Sequence, residues 1–503
     1  MTTLIKNIIL VDGTGKNPFK ADVLVRDRSI VAVGSFPSFK ADKVILGNEG
    51  YLMPGFVDLN VSSDRYLTLF TSPLHRDFLL QGVTSILIGQ CGFSLAPSFY
   101  GALGHCSAWT SATHVNVNWK RVGDFLDVLQ KQFNFGVNIA TLAGHRVIRD
   151  EMVHNPSVFR SLTANELRVF RSVLDEALRE GAFGLSVGLG HYPYQSTPYH
   201  ELRALLDVVK KYNGVYATHM RNEKEGILAS VQETVKLAQE VAVPTIISHL
   251  RPFVGFEHEY RDALSLIEEK SAKADVYFNI NPFSYSAESV ASFIPEKFRN
   301  DSRDVLVEKF KDPACVKEIT SLLPKFDSTK MMILNAPGME FLVGKTLYEF
   351  ARNRQLSAPK ALIELMRVSK LRAVVFFDNL NEQEVSRALL SGRSLISTNS
   401  PNFDHLSVAF KPERSYNTFP TYLKHAAASS LSIEQAVAKI SGLPATLVGL
   451  KKRGLVTNGY YADMVLTTKD FEVSAVLVNG TLMIDQGSPT HAQGSGTIMR
   501  RCV

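Results

Sequence analysis

The sequence predicts an α/β fold, a TIM-like (β/α)8 barrel that carries a small β domain built from both termini. Three features predict it: strand-like segments with polar turns at the two ends of the chain, a long middle in which apolar strands and amphipathic helices alternate, and reactive side chains at the ends of those middle strands.

Residues 1–54 read as short strands: "NIILVDGTG", "ADVLVRDRSIVAVGSF" with a polar turn at Asp27, Arg28 and Ser29, and the start of "KVILGNEGYLMPGFVDL". Similar punctuation returns within residues 441–503, in "GYYADMVLTT" and "VSAVLVNGTLMIDQG", so the two ends are expected to share one β domain. Residues 55–440 are expected to form the barrel. Val83–Ile88 is a buried strand that ends at "GQCGFSLAP". Thr163 and Glu166 form a capping box that opens an amphipathic helix, Gly181 ends it, and "AFGLSVGL" follows as a strand. A helix over 199–212 stops at Asn213 and Gly214 and leads to "VYATHM"; one near 226–241 leads to "VPTIISHL", and one near 260–272 to "DVYFNI". Strand and helix alternating at this spacing favour a barrel over an open sheet, and a barrel gathers its chemistry at the C-terminal ends of its strands.

Composition narrows the function. The 503 residues are 45% hydrophobic and 21% charged, an ordinary globular balance, with a net charge of +6. Basic residues are scattered apart from Lys451, Lys452 and Arg453, which read as a charged surface face, so neither nucleic acid nor a membrane is expected as a partner. The N-terminal stretch lacks a positive region ahead of a long apolar run, no segment reaches the length of a membrane span, and a cytoplasmic location is expected. The four cysteines, at 91, 106, 315 and 502, are too sparse for a disulfide framework and fit a reducing compartment.

Three side chains stand at predicted strand ends: Cys91, His219 after "VYAT", and His249 after "TIIS". A lone strand-end histidine is more often a hydrogen-bonded structural residue than a ligand. A thiolate with two imidazoles at three such ends is a zinc-preferring set, and three protein ligands leave a position for water or substrate. Two other readings of Cys91 stay open: a nucleophile with one of the histidines as its base, and a buried thiol that only packs.

In collinear order the chain carries "VDGTG", "YLMPGFVDL", "QGVTSILIGQCGFSLAP", "GHRVIRDEMV", "GAFGLSVGL", "YATHMRNE", "IISHLR", "RSYNTFP", "GLPATLVGL", "RGLVTNGYYADMVL" and "GTIMRR". This frame resembles the D-aminoacylase (N-acyl-D-amino-acid deacylase) branch of the amidohydrolase superfamily. The resemblance implies a metal-dependent barrel with a small β-sandwich that hydrolyses an amide, a carbon–nitrogen bond other than a peptide bond, by means of a metal-bound water. It implies that Cys91, His219 and His249 hold one zinc ion, and that Arg414, in "RSYNTFP", grips a substrate carboxylate with its planar fork. His145, in "LAGHR", occupies another strand end, with a substrate role competing against packing.

The departures fall on the chemistry. Where the family places a His-x-His pair for a second, weaker metal, this chain has Asn60, Val61 and Ser62, so that position is expected to be lost. The family aspartate that binds metal and shuttles a proton corresponds to Asn399, and an amide cannot act as that base. A tyrosine suited to polarising the substrate carbonyl has become Phe283, and another is replaced by His191, which reads either as a new ligand or base or as a pocket-lining residue. Asp64, Asp404 and His405 are the nearest substitute proton carriers. Two functions follow: a zinc-dependent hydrolase of N-acyl (D-)amino acids or a similar small amide, or a catalytically impaired pseudo-hydrolase that serves as a binding or assembly subunit with a protein partner. Cys91 acting as a nucleophile in the same pocket is a third.

Overall fold

The computed structural model describes residues 1–99, 115, 117–153, 160–191, 194–270, 273–298, 301–403 and 411–501. Eight parallel strands form the barrel: β1 Phe56–Asp58, β2 Val83–Ile88, β3 Asn138–Thr141, β4 Gly184–Gly188, β5 Val215–His219, β6 Thr245–Ile247, β7 Val276–Ile280 and β8 Ser394–Ile396. β1 to β3 pair in one run and β4 to β8 in another, bridged by the short extension Ala143–Gly144 beside β4. Every residue of β2, β4 and β5 is buried, which explains their continuous apolar reading: helices cover the outer face and the barrel core the inner one. Between β8 and β1 closure runs through a side chain. Asp58 accepts hydrogen bonds from Thr398 N at 3.0 Å, Thr398 Oγ1 at 2.6 Å and Asn60 N at 3.0 Å.

The helices form where the sequence places them. Thr163 Oγ1 accepts from Glu166 N, and the helix Ala164–Arg179 buries Phe170, Leu174, Ala177 and Leu178, one stripe at three- and four-residue spacing. Such a cap stabilises a helix by about 1 kcal/mol. Tyr199–Lys211, Ile227–Val241 and Glu257–Lys270 follow, the last beginning three residues ahead of the predicted span. Among the described residues no helix is long and apolar enough to cross a membrane.

Both ends of the chain enter one nine-stranded sheet. Met464–Thr467 pairs antiparallel with Tyr51–Pro54, joining the C-terminal strands to the N-terminal ones around Ile5, Val23, Ile30, Leu52 and Leu477. A buried polar network fastens this layer to the barrel: Arg453 pairs with Asp463 and donates to Asn479 Oδ1 at 2.9 Å, while Asn138 of β3 donates to Asp463 Oδ2 at 3.1 Å. Residues 496–501 then run under the barrel. Ile139 N donates to Thr497 O, Met499 N to Ile139 O and Arg501 N to Gly181 O, and the Arg501 guanidinium donates to Tyr212 O and Val448 O, the last carbonyls of two helices.

Residues 281–393, between β7 and β8, hold an insertion that the sequence reading leaves inside the barrel. Tyr285–Ser289, Met331–Asn335 and Val374–Asp378 pair antiparallel, and surrounding helices pack Leu347, Leu362 and Met366 against Ile333 and Val375 as a core of their own. The insertion brings Tyr285 and Phe376 to the barrel mouth.

Candidate metal centre and active site

The C-terminal strand ends converge as the fold class requires. Cys91 follows β2, His219 closes β5, and His249 follows β6; one ligand atom of each lies within 4.8 Å of the others. Cys91 Sγ and His249 Nε2 are 3.5 Å apart, and the two imidazoles meet edge to face at 4.4 Å. Bonds of about 2.3 Å to sulfur and about 2.1 Å to nitrogen at a tetrahedral angle separate those two atoms by about 3.6 Å, so the donor spacing fits a zinc ion. His219 Nδ1 is buried without a hydrogen-bond partner among the described residues, as a nitrogen reserved for a metal would be. Burial pushes the Cys91 thiol up, but His219 and Arg65 beside it outweigh burial and hold it below its ordinary value, favouring the thiolate that a metal takes.

One buried carboxylate orients both rings. Glu223 Oε1 accepts from His249 Nδ1 at 3.0 Å, and Oε2 lies 3.5 Å from His219 Nε2. The first bond fixes the His249 tautomer with its Nε2 lone pair toward Cys91. Burial raises the Glu223 carboxyl, yet the Arg251 charge and His249 outweigh it and hold the group well below the usual carboxylate range. Arg251 also reaches Glu288 Oε1 at 3.1 Å, so two carboxylates neutralise it.

The backbone carries strain here. Cys91 (φ 56°), His249 (φ 39°) and Asn399 (φ 46°) all sit in the left-handed region that non-glycine residues avoid, at a cost of order 1 kcal/mol or more each, a pattern that marks functional sites. Gly190 is required by close approach: a Cβ there would stand 2.3 Å from His219 Nε2.

A pocket opens beside the trio, lined among others by His249, Asn279, Phe283, Asn399 and Arg414. Arg414 is 5% exposed; its backbone N donates to Tyr285 OH at 3.1 Å, its guanidinium lies 5.0 Å over the Phe376 ring, and its Nε has no hydrogen-bond partner among the described residues. Burial lowers its pKa to about 10, still charged at neutral pH. Phe283 stacks on Tyr285 at 5.4 Å, an apolar wall where a hydroxyl was expected to be missing.

Asn60 turns to a hydrogen bond. Its Nδ2 donates to Asn279 Oδ1 at 3.1 Å, and the same Oδ1 accepts from His249 N at 2.6 Å. Ser62 N donates to Ser400 O.

The other expected residues scatter. His191 meets His219 edge to face at 4.6 Å, and burial holds it well below the usual imidazole range. His145, expected at a substrate site, is instead fully buried, with Nε2 on Glu201 Oε1 at 2.8 Å; Arg149 shares that oxygen, and the cluster lies outside the pocket lining. Asp64 is likewise no free proton carrier, since its oxygens accept from Gly89 N at 2.8 Å and Arg65 N at 2.9 Å and tie a loop to the end of β2. Asp404 and His405 lie outside the described residues. Sequence reasoning missed Glu223 and Asn279. Glu223 had a signal, four residues after His219 in "YATHMRNE"; Asn279 had none beyond its place in a strand.

A parallel eight-stranded barrel with a β layer drawn from both ends is the architecture of the amidohydrolases among the chain's structural neighbours, and here it carries a Cys-His-His cluster at the strand ends. No protein-family model matches the chain. It is 28% identical to the D-aminoacylase of Alcaligenes xylosoxydans xylosoxydans, over 98% of this chain and 96% of that protein. A solved D-aminoacylase superposes with a TM-score of 0.79 at 26% identity, covering 99% of both chains. An N-acyl-D-glutamate deacylase from Bordetella bronchiseptica, solved with zinc and a phosphonate mimic of the tetrahedral intermediate, superposes at 0.81 with 23% identity over 99% of each chain. The protein is a homologue of the D-aminoacylases and has the fold of that branch.

Proposed function

We propose that this protein is a zinc-dependent amidohydrolase that removes the acyl group from N-acyl-D-amino acids. The observation that carries the reading is the convergence of Cys91, His219 and His249 within 4.8 Å at three strand ends, beside the buried Arg414, whose Nε has no hydrogen-bond partner among the described residues. Cys91, His219 and His249 would hold one ion, and Asn60 and Ser62 stand where the family resemblance places the imidazoles for a second. A zinc held by these three would lower the pKa of a bound water and polarise a carbonyl. Glu223 keeps both imidazoles in register, and Arg414 takes the substrate carboxylate in a dry aromatic setting where a charge-assisted bond is strong. In the reaction water's oxygen joins the acyl carbon, the carbon–nitrogen bond breaks, and a proton passes to the leaving amine, giving a carboxylate and a free amino acid. Asn399 cannot relay that proton, and loss of a general base costs about 10²- to 10⁴-fold, so slow turnover is expected. The alternative of a non-catalytic assembly subunit draws no support from the relatives, which are named for deacylation.

The test is release of free amine from a panel of N-acetyl-D-amino acids by protein loaded with zinc. Turnover above a His219→Ala control supports the reading, and none above it overturns the reading.

A further inference from the structure

Asn279 lies in β7, lines the pocket and is 1% exposed. Its amide orientation is settled by its neighbours. The backbone N–H of His249 can only donate, and it meets the Asn279 amide at 2.6 Å, so the atom facing it is Oδ1. Asn60 Nδ2 donates to the same oxygen at 3.1 Å and locks it. Nδ2 is thereby turned away from both, and it is buried with no hydrogen-bond partner among the described residues. Buried donors are nearly always satisfied, so one left open on a residue that lines a pocket is a place for a ligand oxygen. The surroundings give that oxygen its identity. Asn279 shares the pocket lining with the ligand His249 and with Arg414, the two groups that an N-acyl amino acid would engage through its acyl group and its carboxylate. Phe283, in the same lining, has no hydroxyl to offer.

We propose that Asn279 is the hydrogen-bond donor to the scissile acyl oxygen, stabilising through Nδ2 the negative charge that develops there as water adds. Asn60 is a positioning residue: it pins Oδ1 so that Nδ2 faces the substrate, and the residue that departs from a metal-binding pattern thus serves the oxyanion donor instead. The inference rests on the proposed amidohydrolase reading. Removing one such preorganised donor lowers kcat by about 100- to 1000-fold.

The test compares wild type with Asn279→Asp and Asn279→Ala in the zinc-loaded protein. Asn279→Asp keeps an acceptor for His249 N and Asn60 Nδ2 but exchanges the donor for a carboxylate oxygen, whereas Asn279→Ala removes the donor without adding charge, so a loss common to both variants reports the donor. The expected result in both variants is a kcat loss of about 100-fold or more with KM changed little, as a donor used mainly in the transition state requires. The second readout is binding of the N-methylphosphonyl derivative of D-leucine, a tetrahedral oxyanion probe, which should weaken by a comparable factor. A purely structural role would lower the melting temperature and zinc content together and leave the probe affinity of correctly loaded protein within threefold; that result overturns the inference while leaving the hydrolase reading intact. Wild-type protein that neither turns over substrate nor binds the probe overturns both.

Discussion

Glu223→Gln is the substitution that most directly tests how this site is held. Glu223 Oε1 accepts from His249 Nδ1 at 3.0 Å and from Arg251 Nε at 3.4 Å, while Oε2 pairs with Arg251 and faces His219 Nε2 at 3.5 Å. Every neighbour is a donor, so a glutamine must turn its NH2 group against either His249 or Arg251. A charge-assisted hydrogen bond contributes about 1.5–3 kcal/mol. Leaving a buried charge wholly unpaired costs about 3–5 kcal/mol, but Arg251 keeps Glu288 at 3.1 Å, which places the expected loss near the lower range, about 2–3 kcal/mol. The metal reads the change separately: partners of ligating histidines typically contribute 10- to 100-fold to affinity, or about 1.4–2.7 kcal/mol. Zinc titration against a chromophoric chelator gives the dissociation constant, and urea denaturation of the metal-free protein gives the stability. A variant that loses stability but binds zinc within threefold of wild type would refute the argument, since Glu223 would then be only a partner for Arg251.

Three further outcomes are expected. Asn399→Asp should raise the rate of amide hydrolysis by about tenfold or more by restoring a proton acceptor in the pocket lining, measured as kcat at saturating zinc; an unchanged rate would place proton transfer elsewhere. Arg414→Met should raise KM by about 10- to 100-fold, with zinc content unchanged, from the loss of a charge-assisted bond; an equal effect on a substrate amide that lacks the carboxylate would sink the assignment. Asp58 carries a pH signature. Burial pushes its pKa up to about 6 from an ordinary 3.8, so the folded state holds that proton more tightly than the unfolded one. Its contribution is therefore greatest below the ordinary value and falls as pH rises through about 6, by at most about 3 kcal/mol. In urea titrations the stability of wild type relative to Asp58→Asn should decline between pH 4 and 6 and level off above; a flat or rising difference would contradict the sign.

The barrel was legible because its cues are local. Thr163 and Glu166 bond where the capping box places them, and the fully buried strands at 184–188 and 215–219 read as mainly apolar runs, the second closing on His219. The Cys91, His219 and His249 trio was legible for the same reason: strand ends of one barrel share one face. What escaped reading depends on contacts between distant segments. Asn60 looked like a lost ligand, and only the 219-residue leap to Asn279 shows it bonded. The 281–393 insertion pairs Tyr285–Ser289 with Val374–Asp378 across about 90 residues, and no periodicity in either strand announces that partner. His145 misled because a histidine at a strand end looks the same whether it faces a pocket or Glu201 beneath a helix.

The segment at 496–501 beneath the barrel bears on how the chain is made. It completes the hydrogen bonding of β3 through Ile139, and its Arg501 closes the carbonyl ends of two helices whose residues precede it by as much as 289 positions. A ribosome synthesises every strand and helix of the barrel before it reaches these residues. The nascent barrel therefore waits, with its lower rim unbonded and its N-terminal strands lacking Met464–Thr467 as a neighbour, until translation of the last strands is done. The contacts that fasten the C-terminal strands and residues 496–501 to the rest of the chain are thus the last that synthesis allows to form.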